Sequence, residues 1–211
     1  MQRGAFEEPS WVDVPWPDAG VILTVGAHAL RAPLGPEGRL VRVPSSYADG
    51  LRIDQLLGWI APSAEVSDAI WKAATVRLAP VPMGGSPLMA SEGVVLAYNA
   101  QVDAQVPAGR EGELAADEGK DWIVSNRNAF RAGRSATTYG WRQSSGTPIQ
   151  QLGKDSVQPA HDDQHVDYSQ VKRPIKRLAR RISDGSPVDL VDVYAQRGLR
   201  ADVLAPYTGV A

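Results

Sequence analysis

Residues 138–169 read TYGWRQSSGTPIQQLGKDSVQPAHDDQHVDYS. Apolar residues show almost no helical spacing along this stretch. Its opening, Thr137-Thr-Tyr-Gly-Trp-Arg142, combines the β-branched and aromatic residues that favour strands. Ser144-Ser-Gly146 reads as a turn and Thr147-Pro-Ile-Gln150 as the return arm of a hairpin. A β-rich C-terminal half that follows helical segments, without strict alternation, predicts an α+β fold.

Working toward the N-terminus, Asp121-Trp-Ile-Val-Ser125 has the pattern of a strand, and residues 128–136 that of an arginine-rich surface loop. Pro87 to about Val106 reads as a helix with Gly93 inside it, opened by Ser86 as N-cap. Val76 to Leu78 fits a strand. Ser63 caps a helix with Val66, Ala69, Ile70 and Ala73 on one face. Ser46, with Asp49 three residues on, opens another whose face is Ile53, Leu56, Leu57 and Ile60, stopped by Pro62. Arg39–Val43 and Val21–Val25 read as strands, and His28 follows the latter. Residues 1–19, rich in Pro, Asp and Glu around Trp11 and Trp16, predict an irregular arm, with 20–211 as a single α+β domain.

Toward the C-terminus, Val171 to Ile182 is readable either as a helix or as a strand. Its run of Lys172, Arg173, Lys176, Arg177, Arg180 and Arg181 predicts a solvated basic face, with binding of an anionic polymer as the alternative. Ser186-Pro187 opens a helix ending near Gly198, and a loosely attached tail follows.

The formal net charge of −2 offers no global field to recruit nucleic acid. The absence of cysteine excludes disulfides, thiolate metal sites and a cysteine nucleophile. No apolar run is long enough to span a bilayer, and no basic segment followed by an apolar one opens the chain.

Two of the three histidines and four aspartates fall within residues 138–169. In His161-Asp-Asp-Gln-His165-Val-Asp-Tyr-Ser169, imidazoles that change charge near neutral pH lie beside carboxylates that can fix their tautomers. His161, Asp162, His165, Asp167, Tyr168 and Ser169 are therefore the candidate catalytic residues, with His161 expected as general base or ligand, oriented by Asp162, Asp163 or Asp167. Lys120, Arg127, Tyr139, Trp141 and Arg142 are candidates to bind substrate. Three chemistries stay open: general acid–base work by a histidine–aspartate pair, a divalent metal such as zinc on His161 and His165, and a polar loop that only bonds to itself.

Lys120-Asp121, Val124, Asn126-Arg127, Tyr139-Gly-Trp141, Gly146, Pro148-Ile-Gln150, His161 and Asp167-Tyr-Ser169 together resemble an uncharacterised family of bacterial and phage proteins, over roughly the C-terminal half. A second resemblance is to the L,D-transpeptidase catalytic domain, a β-rich cell-wall enzyme. His161 matches that signature's first histidine, Ser169 its serine and Arg173 its arginine. Gln170 replaces its second histidine and the cysteine is missing, so its nucleophile chemistry does not transfer. The first resemblance implies a fold only; the second implies a β-rich scaffold with a pocket for a cell-wall fragment. The expected function is a hydrolase acting on cell-wall peptide or glycan, with a wall fragment or other anionic polymer as partner. The lack of a visible signal or membrane segment predicts a cytoplasmic or phage-associated protein. The alternative is a non-catalytic binding or structural module of phage or secretion assemblies, in which the same loop is only a satisfied polar network.

Overall fold

The computed structural model describes residues 6–35, 37–128, 135–150 and 161–208. Its elements run β1 (Trp11–Trp16), β2 (Val21–Gly26), β3 (Arg31–Leu34), β4 (Arg39–Arg42), α1 (Tyr47–Leu57), α2 (Ala64–Ala73), β5 (Val76–Arg77), α3 (Glu92–Asp103), β6 (Ala115–Ala116), β7 (Lys120–Ile123), β8 (Ser135–Arg142), β9 (Pro148–Gln150), β10 (His161–Asp162), β11 (Gln170–Val171), β12 (Leu178–Arg181), β13 (Pro187–Asp189), α4 (Leu190–Gln196) and α5 (Ala201–Thr208). The fold is α+β. Most of the surface loop expected over 128–136 lies outside the described residues, as do residues 151–160.

One antiparallel sheet has the order β1-β2-β12-β13. Val14, Leu23, Val25 and Ala179 on its inner face meet Val66 and Ile70 of α2, Leu190 and Val193 of α4, and Val203 and Leu204 of α5. The second sheet has the order β10-β8-β7-β11, with β9 also paired to β8; its β7–β11 pairing is parallel and its other pairings antiparallel. Among the described residues, no helix is long and apolar enough to cross a membrane.

Several expectations are corrected by tertiary context. Residues 11–16 are a strand in register with β2, not an irregular arm, because Val14 and Trp16 bury against the first sheet's core. Helix α1 starts as expected, with the Ser46 hydroxyl accepting from the Asp49 amide, but it ends at Gly58 in the left-handed conformation before Pro62 is reached. Leu56 and Leu57 are exposed, and Tyr47, Gly50 and Asp54 form the buried side instead. Helix α3 begins at Glu92, five residues later than Pro87. Asp189 caps α4, so residues 187–189 are free to be a strand. The tail is not loose: α5 buries Val203, Leu204 and Tyr207.

The basic run shows the largest difference. It is extended rather than helical; Lys172, Arg173, Arg177 and Arg180 are ion-paired, while Lys176, Arg180 and Arg181 remain exposed. Lys172 lies buried with its Nζ 2.5 Å from Asp54 Oδ1. Arg177 pairs with Asp189, and Arg180 with Asp13. Arg173 is 4% exposed and donates to the Glu118 carboxylate at 3.1 Å.

Glu118 is where the chain converges. Its Oε1 accepts from Arg42 Nε at 2.7 Å and faces His28 Nδ1 at 3.1 Å. Its Oε2 accepts from the Ala29 amide at 2.5 Å and from Arg173. Burial alone would keep this carboxyl protonated, but Arg42, His28 and Arg173 outweigh it and hold Glu118 far below the usual carboxylate range. Its contribution to stability is thus present above the ordinary carboxylate pKa and lost as pH falls toward the depressed one. Replacing Glu118 with Gln leaves Arg42 and Arg173 short of their counter-charge in the interior. The variant should lose roughly 3–5 kcal/mol of unfolding free energy, read from urea denaturation at pH 7; a loss under about 1 kcal/mol would show the cluster to be peripheral.

Candidate functional site

The candidate site forms where β7 and β11 run side by side. Gly119 makes that approach possible. A Cβ on it would stand 2.5 Å from the Ser169 carbonyl oxygen and 2.8 Å from a Val171 methyl. With no side chain there, the Lys120 amide donates to the Ser169 carbonyl at 2.6 Å. Lys120 thereby enters beside the 167–169 turn.

In that turn Asp167 is almost fully buried. Its Oδ1 accepts from the Ser169 amide at 2.7 Å and the Ser169 hydroxyl at 2.5 Å. Its Oδ2 lies 3.4 Å from Lys120 Nζ and 3.7 Å from His165 Nε2. Burial opposes ionisation, but the Ser169 bonds and the Lys120 charge prevail, so Asp167 titrates below the ordinary range and stays a carboxylate.

His165 is 41% exposed and stacks on His161, with ring centroids 4.9 Å apart and planes 10° from parallel. His161 also meets the Trp122 ring edge-on at 5.9 Å. Burial, then His165 and then Lys120, lower the His161 pKa from its ordinary 6.5, so this ring is neutral at pH 7.

The stack bears on the metal expectation. Imidazole lone pairs lie in the ring plane, so face-to-face rings aim them side by side instead of at one ion. Among the described residues, no three His, Asp or Glu side chains gather closely enough to hold a metal. The described residues do not fit a zinc centre.

Other candidates are placed elsewhere. Tyr168 is buried with its hydroxyl between the Met83 amide and carbonyl, which makes it a packing residue. Ser169 is fully buried and donates to Asp167, so its hydroxyl positions the carboxylate and is not presented to a substrate. Asp162 accepts from the Gln164 amide and shapes the turn. Asp163 is buried and accepts from Gln164 Nε2. Arg127 lies beyond the other end of β7 from Lys120. His28 belongs to the Glu118 cluster.

Arg142 and Tyr139 face α2. The Arg142 guanidinium donates to Asp117 at 2.9 Å, Asp68 at 2.7 Å and Ser67 at 3.3 Å. Tyr139 donates to Asp68. These partners leave the guanidinium little with which to grip a substrate carboxylate. Trp141 goes the other way: its ring lies beneath Lys120 Nζ, 5.1 Å from centroid to nitrogen. Regular strand alternation would put residues 139 and 141 on the same face. Gly140 and Trp141, at φ 95° and 56°, reverse the alternation, so Arg142 joins Tyr139 while Trp141 joins Lys120.

The geometry therefore unites His161, His165, Asp167, Ser169, Lys120 and Trp141. The sequence reading missed Asp117, Glu118 and Gly119. The acidic pair ahead of Gly119-Lys120 was their only local signal, and nothing in it indicated burial. Comparison with protein-family models, with curated proteins and with solved structures gives no match.

Gly119→Ala should separate the two strands, because the nearest obstacle is backbone. A cost of roughly 1–3 kcal/mol is expected, together with faster hydrogen exchange at the Lys120 amide. An unchanged exchange rate would mean the approach is less tight than described. His161 supplies a pH test. Its folded pKa is depressed, so the unfolded chain binds the proton first and stability falls as pH drops below 6.5. Thermal melts of His161→Gln should lose less than wild type between neutral and mildly acid pH; parallel losses would contradict the assignment.

Proposed function

We propose that the chain is a hydrolase whose general acid–base group is His165, oriented by Asp167, and whose substrate is a bacterial cell-wall peptide or glycan. The observation carrying the chemistry is the 3.7 Å approach of His165 Nε2 to the Asp167 carboxylate, whose other oxygen is already committed to Ser169. A carboxylate so placed favours the tautomer with its proton on Nε2, leaving Nδ1 as the acceptor. His165 is exposed enough to meet a water or a leaving group. It would take a proton from the attacking water and return it to the departing atom.

The neighbours fit that role. His161, kept neutral, flanks His165 without adding a fixed charge. The Lys120 ammonium, shared between Asp167 and Trp141, can turn a donor toward a developing oxyanion. Asp167, held ionised, stabilises His165 when it carries the proton. The class of substrate rests on the sequence resemblance to cell-wall enzymes.

The test is clearing of a peptidoglycan suspension. Wild type should clear it, and His165→Ala should fall by about 10²–10⁴-fold while keeping its unfolding midpoint. No clearing by wild type, or equal clearing by both, would refute wall hydrolysis through His165 and favour the binding-module alternative.

A further inference from the structure

We propose that Asp117 and Trp141 are positioning residues of this site: the Asp117 carboxylate clamps the Gly140–Trp141 reversal and so holds the indole against the Lys120 ammonium, which fixes Asp167. The proposal rests on the His165–Asp167 reading for its functional meaning. The contacts themselves can be judged without it.

Three observations point the same way. Asp117 directs both carboxylate oxygens at one turn: Oδ1 accepts from the Trp141 amide at 3.1 Å and Arg142 Nη1 at 2.9 Å, and Oδ2 accepts from the Arg142 amide at 3.0 Å. Asp117 and Trp141 are the two non-glycine residues with positive φ among the described residues, at 60° and 56°. Side chains adopt that conformation only where the surroundings impose it, and such residues gather where a site needs a side chain re-aimed. The reversal also has a definite consequence. It removes Trp141 from the face of Tyr139, Asp68 and Arg142 and sets its ring under Lys120.

Trp141 therefore does two things at once. It packs with Tyr98 and Tyr168 in the second core cluster and offers a π-face to the ammonium. Lys120 Nζ is bounded by that ring and by the Asp167 carboxylate. A lysine side chain with four free torsions needs such boundaries to stay at one spot. Gly140 has to be glycine at this turn: at φ 95° a Cβ would stand 3.3 Å from Asp117 Oδ1.

The test is solution NMR on the full chain. In wild type the Lys120 ε-methylene protons should resonate upfield of a solvated lysine such as Lys72, from the indole ring current, as should those of Lys176 over Trp11; the Lys120 signal is assigned by its loss in Lys120→Met. Trp141→Phe should retain an upfield shift, while Trp141→Leu and Asp117→Asn should return the signal to the position of solvated lysines. In the latter two the His161 titration midpoint should rise, because the Lys120 charge moves away from it; Lys120→Met sets the size of that rise. A Lys120 signal at the solvated position in wild type overturns the proposal, whatever the variants' folding. So does an Asp117→Asn protein in which neither signal moves. Failure of the wild type to clear peptidoglycan would remove the hydrolase reading and leave these spectra to judge the clamp.

Discussion

One buried carboxylate ties the separate parts of this chain together. Glu118 draws in the turn after β2 through His28 and the Ala29 amide, β4 through Arg42, and the segment between the two sheets through Arg173. Arg42 also reaches Asp103 at the end of α3, at 2.6 Å, and Asn99 within it, at 3.3 Å. An isolated interior carboxylate would cost several kcal/mol. Four donors around two oxygens remove most of that cost, and they fix distances that apolar contacts alone would leave adjustable.

The same logic recurs with Lys172 and Asp54. Asp54 sits on the inward side of α1, where an apolar residue would be expected, and Tyr207 of α5 donates to its second oxygen. Burial raises the Asp54 pKa, and Lys172 opposes the rise. Helix α1 is thus held by the Asp54 contacts as well as by Leu51 against the core, while Leu56 and Leu57 lie outside. Neighbouring residues on one extended segment, Lys172 and Arg173, bind separate acidic partners, so a run that looks like a surface stripe serves as a double interior tether.

Because these tethers place the 167–173 segment beside β7, the candidate site is built on backbone rather than on mobile side chains. Gly119 admits the second strand, the Ser169 bonds orient Asp167, and Asp167 faces His165 and Lys120. The reversal at Gly140–Trp141 supplies the aromatic floor. The stacked imidazoles are the exposed end of this series, and Trp122 meets His161 edge-on.

Local features were legible in the sequence: the caps at Ser46 and Ser63, the strand from Val21, the β8–β9 hairpin, and the concentration of His161, His165, Asp167 and Ser169 on one non-helical segment. These depend on spacing within a few residues, where backbone hydrogen bonding and alternation act. Only the tertiary structure decided which charges are interior, that Arg142 and Trp141 face opposite ways, that residues 11–16 join a sheet, and that Tyr168 packs while His165 is exposed. Those outcomes depend on partners far away in the chain, such as Glu118 for Arg173 or Asp117 for Arg142. A cation's sequence neighbourhood does not reveal whether a distant carboxylate will repay its desolvation.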